Sequence, residues 1–171
     1  MKLLHKTLKW TAVFAVTSQA LFATETPTPA RAANAGPKPI VQTKFTADPA
    51  PLVHDGVVYL YAGHDEDDAY RFTMRDWQCY SSTDMVNWTD HGPVASLATF
   101  PWAKQDNGAW ASQVIERNGK FYLYATVFAP GSAIGVAVAD KPTGPFVDAL
   151  GGPLIRRNNC IDPTVFIDDD G

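Results

Sequence analysis

The chain has 171 residues, a formal net charge of −4, and 46% hydrophobic against 19% charged residues, which bounds it to about one ordinary globular domain. No lysine- or arginine-rich run lies beyond the N-terminus, so nothing points to nucleic-acid binding, which needs a basic stripe. Aromatic residues make up 12%. Most serve core packing, and the rest supply flat apolar faces of the kind on which sugar C–H faces pack.

The chain opens with an address. "MKLLHKTLKW" is basic, "TAVFAVTSQALFA" is apolar, and small residues follow, the three-part layout of a secretory signal. The apolar part is shorter than the roughly 20 residues a membrane span needs. Residues 1–32 therefore read as signal and lead-in, with cleavage after Ala23 or Ala32, and 33–39 as a Pro/Ala-rich linker. The expectation is a secreted or periplasmic protein, folded over 40–171 and free of the membrane once the signal is removed. Export permits disulfides. Cys79 and Cys160 are the only cysteines, and their strand-like contexts favour two separate thiols over one bridge. No CxxC or HExxH spacing is present. The lone His within "GHDEDD" at 63–68 is weak evidence for a metal, so no metal site is expected.

The remainder reads as strands and turns. "PLVHDGVVYLYAG" is a hairpin around a His-Asp-Gly turn, with Val/Tyr alternation after it. "DWQCYSSTDMVNWTDHG" at 76–92 is a strand, a turn and a short strand. "SQVIERNGKFYLYATVF" repeats the hairpin with an Asn-Gly turn, the strongest short hairpin signal. "AIGVAVADKPTGPFVDA" at 133–149 is again strand, Pro-Gly turn, strand, and "DPTVFIDDDG" starts the hairpin a third time. Gly56 through Tyr61 matches Gly119 through Tyr124 at an offset of 63 residues. No stretch has a sustained helical period. Four short strands restarted every 50–60 residues are the plan of a β-propeller. A β-sandwich has no reason to restart the same hairpin. The spacing yields two blades and the first strand of a third. Since a propeller closes with at least about four blades, the expectation is the front part of a longer protein.

In a propeller the innermost strand of each blade lines the central channel. Asp48 and Asp162, each followed by Pro, stand at the start of a blade's first strand, so both carboxylates would converge on one funnel. Paired carboxylates suit glycosidic cleavage, one as acid and one as base. The plainer alternative is that Asp-Pro only turns the chain into a strand.

The stretches "ADPAPLVHDGVVYLYAGHDE", "DWQCYSSTDMVNWTDHG", "AWASQVIERNGKFYLYATV" and "IDPTVFIDDDG" resemble glycoside hydrolase family 43. The resemblance covers roughly 40–171 and implies a five-bladed β-propeller acting as an arabinofuranosidase, β-xylosidase or related inverting enzyme on plant polysaccharides. It implies Asp48 as the general base and Asp162 as the carboxylate that raises the pKa of the general acid and orients it. The acid itself is a Glu of the following blade. Glu25, Glu66 and Glu116 do not stand at its motif, so the chain alone is expected to be inactive. Trp110 in "AWAS" resembles a family position near the sugar, and blade packing is its plainer use. Trp102 on the preceding loop, His64, Asp65 and Ile161 complete the candidate sugar contacts. No cofactor is required. Some members of the family hold a calcium ion, and no ligand set in this sequence demands one. The expected partner is a carbohydrate substrate. The main alternative is a carbohydrate-binding propeller without catalysis. A propeller serving protein partners leaves the twin Asp residues unexplained.

Overall fold

The structure, a computed structural model, describes residues 38–157 and 159–171. The leader and most of the linker expected from the sequence lie outside them. The chain enters β1 (Phe45–His54) and returns along β2 (Val57–Asp65) through Asp55-Gly56, whose φ angles are 49° and 74°. Positive φ at both central residues is the two-residue turn whose twist matches a hairpin, and Asp-Gly is a pair that adopts it. β3 (Met74–Ser82) and β4 (Thr89–Ser96) complete an antiparallel sheet in the order β1-β2-β3-β4. The β3–β4 loop is organised by Asp84. Its carboxylate accepts from Asn87 N at 2.7 Å and Val86 N at 2.9 Å. These bonds, that of Asn87 first, hold its carboxyl well below the usual range.

A single 3-10 turn, Leu97–Thr99, follows, the only helical element among the described residues. The second sheet repeats the first. β5 (Ser112–Arg117) and β6 (Lys120–Phe128) meet at Asn118-Gly119, with φ 55° and 73°. β7 (Ser132–Ala139) is the third strand. The fourth position is split: β8 (Val147–Asp148) pairs with Ala137 and Val138, and β9 (Ile155–Arg156) pairs with Ala133 and Ile134. The sequence predicts a strand after the Pro-Gly turn, ending by Ala149, and β9 lies beyond it. Pro145 and Pro153 flank the two pieces, and proline has no N–H for a ladder, so the outer edge is broken where they fall.

Residues 161–171 carry no strand assignment. The predicted third innermost strand is an extended segment laid along β5 and bonded mostly to side chains. Asp162 N donates to Thr126 Oγ1 at 2.8 Å, and Val165 N donates to Gln113 Oε1 at 2.5 Å. A strand requires a backbone ladder, and this segment has none within the described residues.

The core fills the space between the sheets. Trp77 of β3 is fully buried, stacks edge-on against Phe100 at 6.0 Å and donates its indole N–H to Trp110 O at 2.7 Å. Leu97, Val114, Leu123 and Val127 pack around it, each at most 2% exposed. Fully burying such side chains stabilises by about 1.5–3 kcal/mol apiece. Cys79 is buried and free, and Cys160 is half-buried and free, so the thiols stay separate. Burial pushes the Cys79 thiol up to about 12, which keeps it protonated and unreactive. The packing brings β1 and β5, the first strand of each sheet, side by side.

Candidate active site

The cleft between the two sheets begins with an irregularity in β1. Its ladder with β2 slips between Ala47 and Ala50. Asp48 occupies the slip with φ 51°, a left-handed conformation that Asp adopts more readily than most residues. The bulge re-aims the side chain, as bulges near functional sites do. Asp48 thus lies within β1, three residues past its start, where the sequence reading put it at the strand's beginning. Asp162 has nearly the same backbone, φ 56°, and is also followed by Pro.

Both side chains line one cleft of about 330 Å³, together with Asp65, Trp110, Phe72 and Met74. Asp65 reaches it because β2 ends opposite the start of β1, with Phe45 facing Asp65. Desolvation, then the Asp162 and Asp65 charges, raises the Asp48 pKa above the ordinary 3.8. Asp48 itself remains exposed to solvent. Trp110 closes the far wall, its ring edge-on to Phe128 at 4.8 Å and 84°. Its Nε1 is buried and has no acceptor among the described residues. Gly108 makes room for this wall: its φ is 114°, and a Cβ there would sit 2.9 Å from the Phe128 ring.

The other sequence-predicted residues lie around this cleft. His64 lines a neighbouring opening of about 480 Å³ with Glu66, Asp67 and Arg75. Its Nδ1 is 3.4 Å from Asp76 Oδ1 without forming a proper hydrogen bond. Trp102 lines a third cleft with Phe128 and Pro130, and its indole N–H donates to Asp148 Oδ2 at 2.7 Å. Ile161 is 46% exposed and adjoins Asp162 without forming part of the carboxylate cleft's wall. The sequence reading missed Phe72. Nothing local marks it, because a clamp formed across the fold sets its position. Asn107 donates to Phe72 O at 3.0 Å and accepts from Met74 N at 2.9 Å, pinning the end of the β2–β3 loop to the lead-in of β5.

Among the described residues the glutamates lie outside this cleft. Glu66 Oε1 faces Arg75 Nη1 at 3.3 Å, and Glu116 Oε1 accepts from Gly119 N at 2.6 Å inside the β5–β6 turn. No three His, Cys, Asp or Glu side chains are grouped to hold a metal ion among the described residues. What the cleft offers is three carboxylates, one with raised pKa, against aromatic walls: a place to take up a proton beside a flat, partly apolar ligand.

The profile of Glycosyl hydrolases family 43 matches residues 37–171. A xylosidase/arabinosidase of Bacteroides ovatus is 37% identical over 143 residues, which are 77% of this chain and 43% of that protein. The crystal structure of a family 43 enzyme from Xanthomonas citri complexed with xylotriose superimposes with a TM-score of 0.70 at 39% identity, over 78% of this chain and 40% of the other. A β-xylosidase/α-arabinofuranosidase from a compost metagenome, solved with xylotriose in a calcium-free form, gives 0.69 at 38% identity, over 78% and 42%. The chain thus spans about two fifths of the length of these relatives. Its two sheets are blades of the five-bladed β-propeller of these enzymes, and the chain belongs to glycoside hydrolase family 43.

Proposed function

We propose that this chain supplies the first two blades of an exported enzyme that hydrolyses O-glycosidic bonds in arabinose- or xylose-containing plant polysaccharides and their oligosaccharides, with inversion. The observation that carries the reading is the convergence of Asp48, Asp65 and Asp162 on one cleft walled by Trp110. Asp48 is the general base. It takes a proton from water as the water oxygen bonds to the anomeric carbon and the glycosidic C–O bond breaks. The departing oxygen takes its proton from a general acid, whose pKa Asp162 raises. Two groups so divided across the bond, about 6.5–9.5 Å apart, are what inversion needs. Trp110 and Asp65 contact the sugar within the cleft, and His64, Trp102 and Ile161 contact it from the surrounding rim.

Neither Glu66 nor Glu116 lines the cleft. In this reading the acid is a Glu of a following blade, and the 171-residue chain by itself does not turn over. The N-terminal pattern of basic, apolar and small residues over 1–32 supports export.

The absence of a glutamate from the cleft also fits a carbohydrate-binding propeller without catalysis. Asp48→Asn separates the two. In the full-length enzyme it lowers turnover of an aryl β-xyloside or α-arabinofuranoside by about 10²–10⁴-fold and changes sugar affinity only slightly. Turnover that survives the substitution overturns the assignment of the base. Weaker binding from a protein that never turned over identifies the binding module.

A further inference from the structure

Phe72 lines the carboxylate cleft with Asp48, Asp162 and Trp110, yet its side chain does little to keep it there. The residue is 74% exposed, so few neighbours among the described residues hold its ring. Its place is set through the main chain. Arg71, just before it, lies in the left-handed region at φ 76°. A residue with a long side chain keeps that conformation only where its surroundings impose it. The Arg71 guanidinium lies over the Tyr70 ring at 5.5 Å, and Tyr70 is itself 87% exposed. The outer side of the loop therefore offers little constraint.

The constraint comes from Asn107. Its Nδ2 donates to Phe72 O at 3.0 Å, and its Oδ1 accepts from Met74 N at 2.9 Å. One amide side chain thus pairs with the backbone on both sides of Thr73, as a partner strand would. Oδ1 also accepts from Gly108 N at 2.7 Å, which fixes the amide from its own segment. Arg75 ties the same two segments a second time. Its Nη1 faces Glu66 Oε1 at 3.3 Å, and its Nε donates to Asp106 O at 3.1 Å. Glu66 N closes the base of the loop by donating to Thr73 O at 2.9 Å. The start of β3 is docked independently of the Asn107 side chain, because Gly108 N and Ala109 N each donate to Met74 O at 3.0 Å. Removing the amide therefore releases Phe72 and leaves the two segments joined.

We infer that Asn107 is a positioning residue for the carboxylate cleft: by pinning the Phe72 carbonyl it fixes the aromatic wall that Phe72 adds, and so sets how tightly a sugar is held rather than how fast its bond breaks. This rests on the carbohydrate reading above. Asn107 acts through Phe72 and does not touch the reacting atoms.

A double-mutant cycle in the full-length enzyme tests this, with KM and kcat read on an aryl β-xyloside or α-arabinofuranoside. Phe72→Ala and Asn107→Ala are each expected to raise KM by about tenfold. Kcat should be far less affected, the mark of binding lost equally from ground and transition states. In the Phe72→Ala background, Asn107→Ala is expected to add nothing. Equal increases in KM from Asn107→Ala in both backgrounds would show that it acts elsewhere. An unchanged KM would show that other contacts hold Phe72, and a fall in kcat at constant KM would show that Asn107 serves the chemistry. Each of these three results overturns the assignment and leaves the hydrolase reading standing. A parent enzyme that turns over neither substrate overturns the hydrolase reading, and this inference with it. Asn107→Asp keeps the acceptor for Met74 N and deletes the donor to Phe72 O, so it reads the same bond if Asn107→Ala fails to fold.

Discussion

Asp48-Pro49 and Asp162-Pro163 are the same dipeptide in nearly the same left-handed backbone, φ 51° and 56°, yet they are held in place by different means. Asp48 sits in a bulge with the β1–β2 ladder paired on both sides of it. Asp162 has no ladder. Its N–H is held by the Thr126 hydroxyl, and the chain just beyond it by the Gln113 side chain. A local code can thus aim a carboxylate twice while the strength of the aim comes from elsewhere, from backbone pairing in one copy and from side chains of β5 and β6 in the other.

The largest expected effect tests whether the two copies are chemically equivalent. In the full-length enzyme, Asp48→Asn is expected to remove the proposed base and to lower kcat by about 10²–10⁴-fold. Asp162→Asn is expected to act through the proposed acid and to lower kcat mainly on the basic side of the pH profile, where a less raised acid loses its proton sooner. Equal losses at every pH for both variants would show that the copies share one role.

A smaller effect separates ladder from side-chain support. Thr126 is fully buried, and Thr126→Val keeps its shape but deletes the acceptor for Asp162 N. The expected cost is about 1 kcal/mol. Faster amide exchange should be confined to residues near 162–165, with β1 protection unchanged. Matching acceleration in β1 would mean that the two Asp-Pro segments are coupled.

The smallest effect concerns charge. Desolvation, then Asp162 and Asp65, raises the Asp48 pKa above 3.8. The acid limb of kcat/KM should therefore lie above that value, and Asp65→Asn should move it down. The same shift has a sign for stability. The folded protein holds the Asp48 proton more tightly than the unfolded chain does, so stability falls as pH rises through the window from 3.8 to the raised value. Above that window Asp48→Asn should melt at a higher temperature than the parent, and below pH 3.8 the difference should vanish. A variant less stable at neutral pH would show that the carboxylate has a favourable partner in the fold.

Much of the architecture was legible in the sequence because its cues are local. Asp55-Gly56 and Asn118-Gly119 set two hairpins through positive φ, and Val/Tyr alternation set the strands around them. Their recurrence at 63 residues identified repeated four-stranded units, and the Asp-Pro pair marked two carboxylates that the fold brings into one cleft. Other features depended on distant partners. The outer strand of the second sheet is split into two short pieces preceded by Pro145 and Pro153. Phe72 reaches the cleft only because Asn107, 35 residues away, clamps its carbonyl. Trp102 and Trp110 read alike as candidate sugar contacts, yet Asp148 draws one into its own cleft while Phe128 holds the other against the carboxylates. The sequence by itself determined where strands turn and which side chains can carry charge, since those follow from backbone sterics and residue chemistry. Only the tertiary structure decided which of those side chains share a cleft, because that depends on hydrogen bonds and ring contacts between segments far apart in the chain.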